Sequence, residues 1–458
     1  MPAPTPPGVD RAARRLRGSA RAGLVAAIAL FVAMLGTHAQ RLPAAPAVAS
    51  GTNPHPVALL RPAVQPLSAL ALIGRRLFND ASLSASGRQA CASCHSPAHS
   101  FGPPDARMVQ LGGAEMRSEG LRPPPSLAYL YRQEAFGIGP AGDDDLPVPL
   151  DQLATQAQGK PRATKAAGAT PAVALVPRGG LFWDGRADSL MDQAVGPMLN
   201  PAEMANRSIA AVAAKLVRAG YAEQLAPLFG NGLAGNPELL FAEAMSAVGR
   251  YQIEDPAFHR FNSRYDRWLE GKARLSAAEL RGLDLFNDPA KGNCAACHLS
   301  QPGRDGTPPL FTDTEYEALG VPRNRALVAN RDPRHFDLGL CGPARTDLAQ
   351  QTPYCGMFLT PSLRNTARRG VYFHNGMYHT LKQVLDFYNL RDTRPGMIYP
   401  RDATGRVTAY DDLPERYRGN IDTADAPFDR KRGQPPVMSE ANIADIIAFI
   451  ESLDDRSS

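Results

Sequence analysis

Charge of one sign is scarce in this sequence: 50 Lys and Arg stand against 45 Asp and Glu, a formal net charge of +5 over 458 residues. Residues 1–39 hold five Arg and one Asp, so about +1 remains for the rest. No basic stripe is present, which argues against nucleic acid as a partner. Long apolar runs are lacking as well. The run Ala22–Gly36 has about fifteen residues, where a helical membrane span needs about twenty. Sustained alternation of apolar and polar residues is missing, which excludes an extensive sheet. Cysteine is sparse, with six in the chain, and four of these fall into two short motifs.

The start of the chain reads as an export signal. Arg11, Arg14, Arg15, Arg17 and Arg21 precede the apolar run, and Ala39 offers a small residue before a cut. Residues 1–39 are therefore expected to be a signal peptide and residues 40–60 a linker. The chain would then work in the periplasm, reaching a membrane only if the segment stays uncleaved. At this length two domains are expected. The frequent Pro and Gly, 42 and 40, suggest long irregular connections. Helical periodicity marks "SLMDQAVGPMLNPAEMANRSIAAVAAKLV", "PELLFAEAMSAVGRYQIED" and "SEANIADIIAFIESL", the last with Ser439 as N-cap. Gly139–Thr170, with Asp143–Asp145, reads as a polar surface loop; its acidic triplet suits a solvated turn better than a metal site.

The two motifs are "LFNDASLSASGRQACASCH", ending at His95, and "LFNDPAKGNCAACH", ending at His298. The match extends upstream, "LIGRRLFND" against "LRGLDLFND", and apolar spacing (Leu70, Ile73, Leu77; Leu280, Leu283, Phe286) predicts a helix leading into each. This predicts two homologous modules, residues 61–255 and 256–458. C-x-x-C-H is the signature of c-type haem attachment. Two thiols three apart add to the vinyl groups of one porphyrin, and the next residue supplies an imidazole to the iron. Cys91, Cys94 and His95 would hold one haem; Cys294, Cys297 and His298 would hold another. A single copy would leave a zinc knuckle, a redox pair or a disulfide open; two copies in an exported chain favour haem.

Between the motifs lies "LFWDGRADSLMDQAVGPMLNPAEM" (Leu181–Met204), followed later by "FLTPSLRN", "YFHNG" and "TLKQVLDFYN". Together these resemble the bacterial dihaem cytochrome c peroxidases and their MauG-type relatives over nearly all the chain after the export signal. The resemblance implies a mainly α fold of two cytochrome c-like haem domains with long irregular loops. It places Glu203 as the acid–base carboxylate beside a peroxidatic first haem. It makes Gln193 an amide orienting peroxide, Pro197 a wall of the same pocket and Trp183 a relay between the haems. Without it, Trp183 reads as a core aromatic and Glu203 as the first turn of a surface helix.

At the second haem, Tyr388 stands where the typical peroxidases place a methionine ligand, as in the MauG-type members. A phenolate favours ferric iron and a thioether ferrous. Tyr388 also continues a stripe with Leu381, Val384 and Leu385, so core packing competes with ligation, and Met377 is the rival ligand. At the first haem, Leu111–Ser126 lacks the distal histidine of the typical peroxidases. His99 is poorly placed to replace it and Met116 is an outside candidate, so an open iron site is expected. The family also has an interhaem calcium ion; here Pro123 stands for its Asn ligand, and carbonyls around Arg369 and Val371 would supply the rest. Cys341 and Cys355 lack haem spacing, which points to a disulfide rather than free thiols.

Three functions follow as expectations. One is a peroxidase that reduces hydrogen peroxide with electrons from a small periplasmic donor protein. Another is a MauG-type enzyme oxidising tryptophan or another residue of a partner protein. The last is a dihaem electron carrier, which would leave Gln193 and Glu203 without a purpose.

Overall fold

A computed structural model describes residues 51–140 and 175–455. The expected signal peptide and acidic triplet lie outside the described residues. Gly139 and Pro140, expected at the start of a loop, instead pair with Val176 and Leu175 in a short antiparallel ladder. The remaining strands form two more two-stranded pairs, so the chain is mainly helical. Among the described residues no helix is long and apolar enough to cross a membrane.

Helix α1 (Ala69–Asn79) leads into the first cysteine motif and begins at Ser68, whose hydroxyl accepts the Ala71 N–H. In the second half α7 (Ala277–Asn287) does the same from Ser276, there with a full capping box closed by Glu279. Between these two helices lie α2 (Leu190–Leu199), α3 (Ile209–Arg218), α4 (Tyr221–Phe229), α5 (Pro237–Glu254) and α6 (Arg264–Leu269). Helices α8 (Leu381–Leu390) and α9 (Glu440–Glu451) follow, α9 capped by Ser439 as expected, and Cys91–Cys94 and Pro395–Ile398 each form a single helical turn.

The matched glycine of the two repeats has a structural reason. A Cβ on Gly74 would lie 1.8 Å from the Ala247 carbonyl oxygen on α5, and one on Gly282 would lie 2.0 Å from that of Asp445 on α9. In each half a helix therefore crosses another at backbone contact, and any larger residue would force the pair apart. One apolar cluster gathers around the first crossing (Leu77, Phe78, Leu216, Leu240, Ala244, Phe258) and a second around the other (Tyr265, Phe286, Phe311, Ile446, Phe449). Each fully buried Leu or Phe contributes roughly 1.5–3 kcal/mol.

The continuous helical pattern from Ser189 to Val217 breaks in two. Asn200 leaves the helical region (ψ 122°), as expected for a residue before proline, and Pro201–Met204 form a turn. The N–H groups of Met204 and Asn206 return to the carbonyls of Pro197 and Met198, so the broken end of α2 is satisfied from the turn. Glu203 thus sits on this turn, not on a surface helix.

Residues 51–61 run along the second half. The Val57 N–H donates to Leu269, the Leu60 N–H to Gly306 and the Trp268 indole to Gly51, while Arg61 pairs with Glu270 at 2.7 Å.

Cys341 and Cys355 form a disulfide across a separation of 14 residues. Closing a loop of this size removes unfolded-state entropy worth about 3 kcal/mol. Replacing both cysteines by serine is expected to lower the unfolding free energy by about that amount, read as a lower midpoint in denaturant titration with a larger m-value from the less compact unfolded chain.

Candidate dihaem site

The first motif places Cys91 and Cys94 on a single helical turn, with His95 directly after it. All three line one cavity. The His95 Nδ1 lies 3.1 Å from the Phe101 carbonyl oxygen, so a proton on Nδ1 leaves the Nε2 lone pair for a metal. Burial pushes the imidazole down to about 4, which keeps it neutral. Burial also pushes the Cys91 thiol up to about 12 and Cys94 to about 11.

The second motif repeats the arrangement. Cys294, Cys297 and His298 line a larger cavity, about 190 Å³ against about 40 Å³. The His298 Nδ1 lies 2.9 Å from the Phe311 carbonyl oxygen, and burial again lowers the imidazole to about 4. Phe101 and Phe311 share a further feature: both are buried and both have positive φ, 57° and 56°. This region is unusual for a bulky residue, and in both halves it aims a carbonyl at the histidine. A triplet outside the recognised repeat supports it. The Ser126 hydroxyl donates to Ser100 (2.7 Å) and Ser362 to Leu310 (2.6 Å), the residues before each phenylalanine. Both serines belong to a Pro-Ser-Leu sequence, at Pro125–Leu127 and Pro361–Leu363.

The donor set fits covalent haem in both places. Each cavity brings two thiols and a neutral imidazole with a free nitrogen into one largely apolar lining.

Gln193, Pro197 and Glu203 converge on the cavity of Cys91, Cys94 and His95. Gln193 and Pro197 lie four apart on α2 and so share a face. Asn200 pins the carboxylate, its amide donating to the Glu203 Oε1 at 2.6 Å. The Glu203 carbonyl accepts the Gly113 N–H at 2.7 Å, and a Cβ on Gly112 would lie 2.3 Å from the Ala202 oxygen. The two glycines therefore let this strand clamp the turn. Burial raises the Glu203 carboxyl above the usual range, opposed by Arg186 and by the Asn200 bond. No residue of Leu111–Ser126 lines this cavity; Met116 turns in the hairpin beyond it, and His99 meets Ser96 at 3.1 Å.

Sequence reasoning did not single out Asn200 or Gln89. Gln89 lines the same cavity with its Nε2 3.4 Å from the Cys94 sulfur and its Oε1 unpartnered. Asn200 was readable three residues before Glu203; Gln89 had no signal beyond adjoining the motif.

At the larger cavity Tyr388 lines the same space as His298, stacked on Phe428 at 5.3 Å. Burial, with the nearby Cys297 and Cys294, pushes its hydroxyl well above its usual value. Met377 packs with Val321, Phe387 and Phe428 and is not part of the lining. Trp183 lines this cavity too, and its indole N–H donates to the Pro123 carbonyl at 2.9 Å. Pro123 lies two residues from Pro125, whose carbonyl faces His95. Trp183 is thus anchored on the chain segment whose Pro125 carbonyl faces His95.

The carbonyls of Pro123 and Arg369, expected around calcium, each already accept a hydrogen bond. Pro123 has no side-chain donor and its carbonyl accepts from Trp183. The Arg369 carbonyl accepts from the Tyr372 hydroxyl at 2.7 Å. Among the described residues no group of three His, Cys, Asp or Glu could hold a metal. The side chain entering the region is itself a cation, Arg369.

Residues 68–274 match the family described as di-haem cytochrome c peroxidase. The methylamine utilization protein MauG of Paracoccus denitrificans is 33% identical over 395 residues, covering 85% of this chain and 89% of that protein. Cytochrome c551 peroxidase of Nitrosomonas europaea is 27% identical, covering 71% and 74%. The crystal structure of the diheme peroxidase BthA from Burkholderia thailandensis superposes with a TM-score of 0.71 at 36% identity, over 89% of this chain and 91% of that one.

Proposed function

Since the chain belongs to the di-haem cytochrome c peroxidase and MauG family of oxidoreductases, we propose that it is a periplasmic peroxidase. It reduces hydrogen peroxide at the site of His95, with electrons passed through the site of His298 from a small donor protein. The observation that carries this reading is the convergence of Gln193, Pro197 and Glu203 on the cavity of His95. An electron carrier has no use for such a polar set.

Cys91, Cys94 and His95 would hold the haem, which would supply the redox-active iron for peroxide. Glu203, when ionised, takes the proton from the near peroxide oxygen and returns it to the far one, which leaves as water. Asn200 holds the carboxylate for this exchange. Gln193 orients the far oxygen by its amide, and Pro197 excludes water from the wall. Trp183 relays electrons between the sites, and Tyr388, which lines the cavity of His298, would supply a second protein ligand to a haem held there. The disulfide and the export-like start suit the periplasm.

A MauG-type role, oxidising a residue of a partner protein, is favoured by Tyr388 lining the second cavity where Met377 does not. Adding peroxide to the diferric holoprotein with and without reduced cytochrome c separates the two. Fast oxidation of the cytochrome is expected. A spectral change that persists for minutes while the cytochrome stays reduced would overturn the peroxidase reading in favour of the second.

A further inference from the structure

The buried arginine side chains Arg122, Arg323, Arg345, Arg364 and Arg391 each meet a carboxylate: Arg122 meets Asp184 and Asp337, and the others meet Asp412, Asp347, Asp266 and Asp392 in turn. Arg369 differs. Its Nε is buried with no partner, and its Nη2 makes only a 3.5 Å contact with the Pro124 carbonyl. A half-buried guanidinium whose Nε is cut off from water and from any counter-charge is costly to keep.

Its position shows where the counter-charge comes from. Arg369 lines the cavity of His298. Pro124, which it touches, lies between Pro123, bonded to Trp183, and Pro125, facing His95. The guanidinium therefore stands between the two haem sites. Haem carries two carboxylates on its propionate side chains, and a planar fork of N–H donors is the geometry that binds carboxylates in pairs.

We infer that Arg369 is a carboxylate-binding residue that holds propionates where the two haems approach each other, serving as the interhaem cation in place of calcium. It is a positioning residue, with no contact to peroxide. Its charge also favours ferrous over ferric iron at both haems, since it offsets the propionate charge next to each.

The test uses holoprotein matured with haem, as native chain, Arg369→Met and Arg369→Lys. Intact mass reports whether both haems are attached, independently of any redox result and of the peroxidase reading. Spectroelectrochemical titration then reports the two couples. In Arg369→Met both haems are expected to become easier to oxidise, the ferric-to-ferrous ratio at fixed potential rising about tenfold, a fall of about 59 mV. Arg369→Lys is expected to restore most of that shift, because it keeps the charge. Unchanged potentials in a fully loaded Arg369→Met overturn the proposal, as does a fall confined to one haem. Native holoprotein treated with a calcium chelator decides the matter even if the methionine variant does not accumulate. Unaltered potentials support a built-in cation, and a shift reversed by added calcium refutes it.

Discussion

Glu203→Gln is expected to slow the reaction with peroxide by about 10²–10⁴-fold, the usual contribution of a positioned acid–base group. The substitution keeps the shape of the side chain and its place beside Asn200 but removes the group that carries the proton. Stopped-flow mixing of diferric protein with peroxide reads the step directly, before any donor is involved. The pH dependence supplies an independent signature. Burial raises the Glu203 carboxyl, so the ionised form needed to accept the peroxide proton arises only above the ordinary glutamate value of about 4.3. The rate should rise with pH through a midpoint above that value, and the rise should vanish in Glu203→Gln. A variant reacting at the native rate removes Glu203 from the mechanism.

Tyr388→Met is expected to raise the reduction potential of the second haem by on the order of 0.1 V or more, within the roughly 0.8 V range that axial ligands control. A phenolate is anionic and hard and favours ferric iron; a thioether stabilises ferrous iron. The hydroxyl is buried and its proton is held well above the usual value, so only a strong Lewis acid in the cavity would displace it. The first haem should keep its potential, which separates a change of ligand from general disturbance. Met377→Leu is the control. If that variant shifts the second couple and Tyr388→Met does not, the ligand is Met377 and Tyr388 is core packing.

The parts of this molecule that were legible in the sequence are those whose chemistry is local. A cysteine pair followed by histidine states its purpose within five residues, and the leading helices announce themselves by apolar spacing. Gly74 and Gly282 were visible as a match, yet their cause, a helix on another chain segment lying against the backbone, is a tertiary fact. The carbonyls of Phe101 and Phe311 escaped notice because they follow their histidines at different distances, 6 and 13 residues. A backbone oxygen also leaves no mark in side-chain chemistry. The break at Asn200 was misread because periodicity outweighed Pro201, although a proline one turn past the apolar stripe is a stop signal. Glu203 gained its reading from family resemblance; its burial and its clamp by Gly112 and Gly113 could come only from coordinates. Arg369 was read as a carbonyl donor because a sequence does not tell which end of a residue faces a site.

The path of residues 51–61 along the second half has a topological consequence. At the other end of the chain, Asp455 accepts from the Tyr129 hydroxyl and the Asn262 N–H. Through Tyr129 the end of the described chain is tied to the first half, as residues 51–61 tie its start to the second. A cut in the backbone between α5 and α6 would sever the chain while leaving both ties intact.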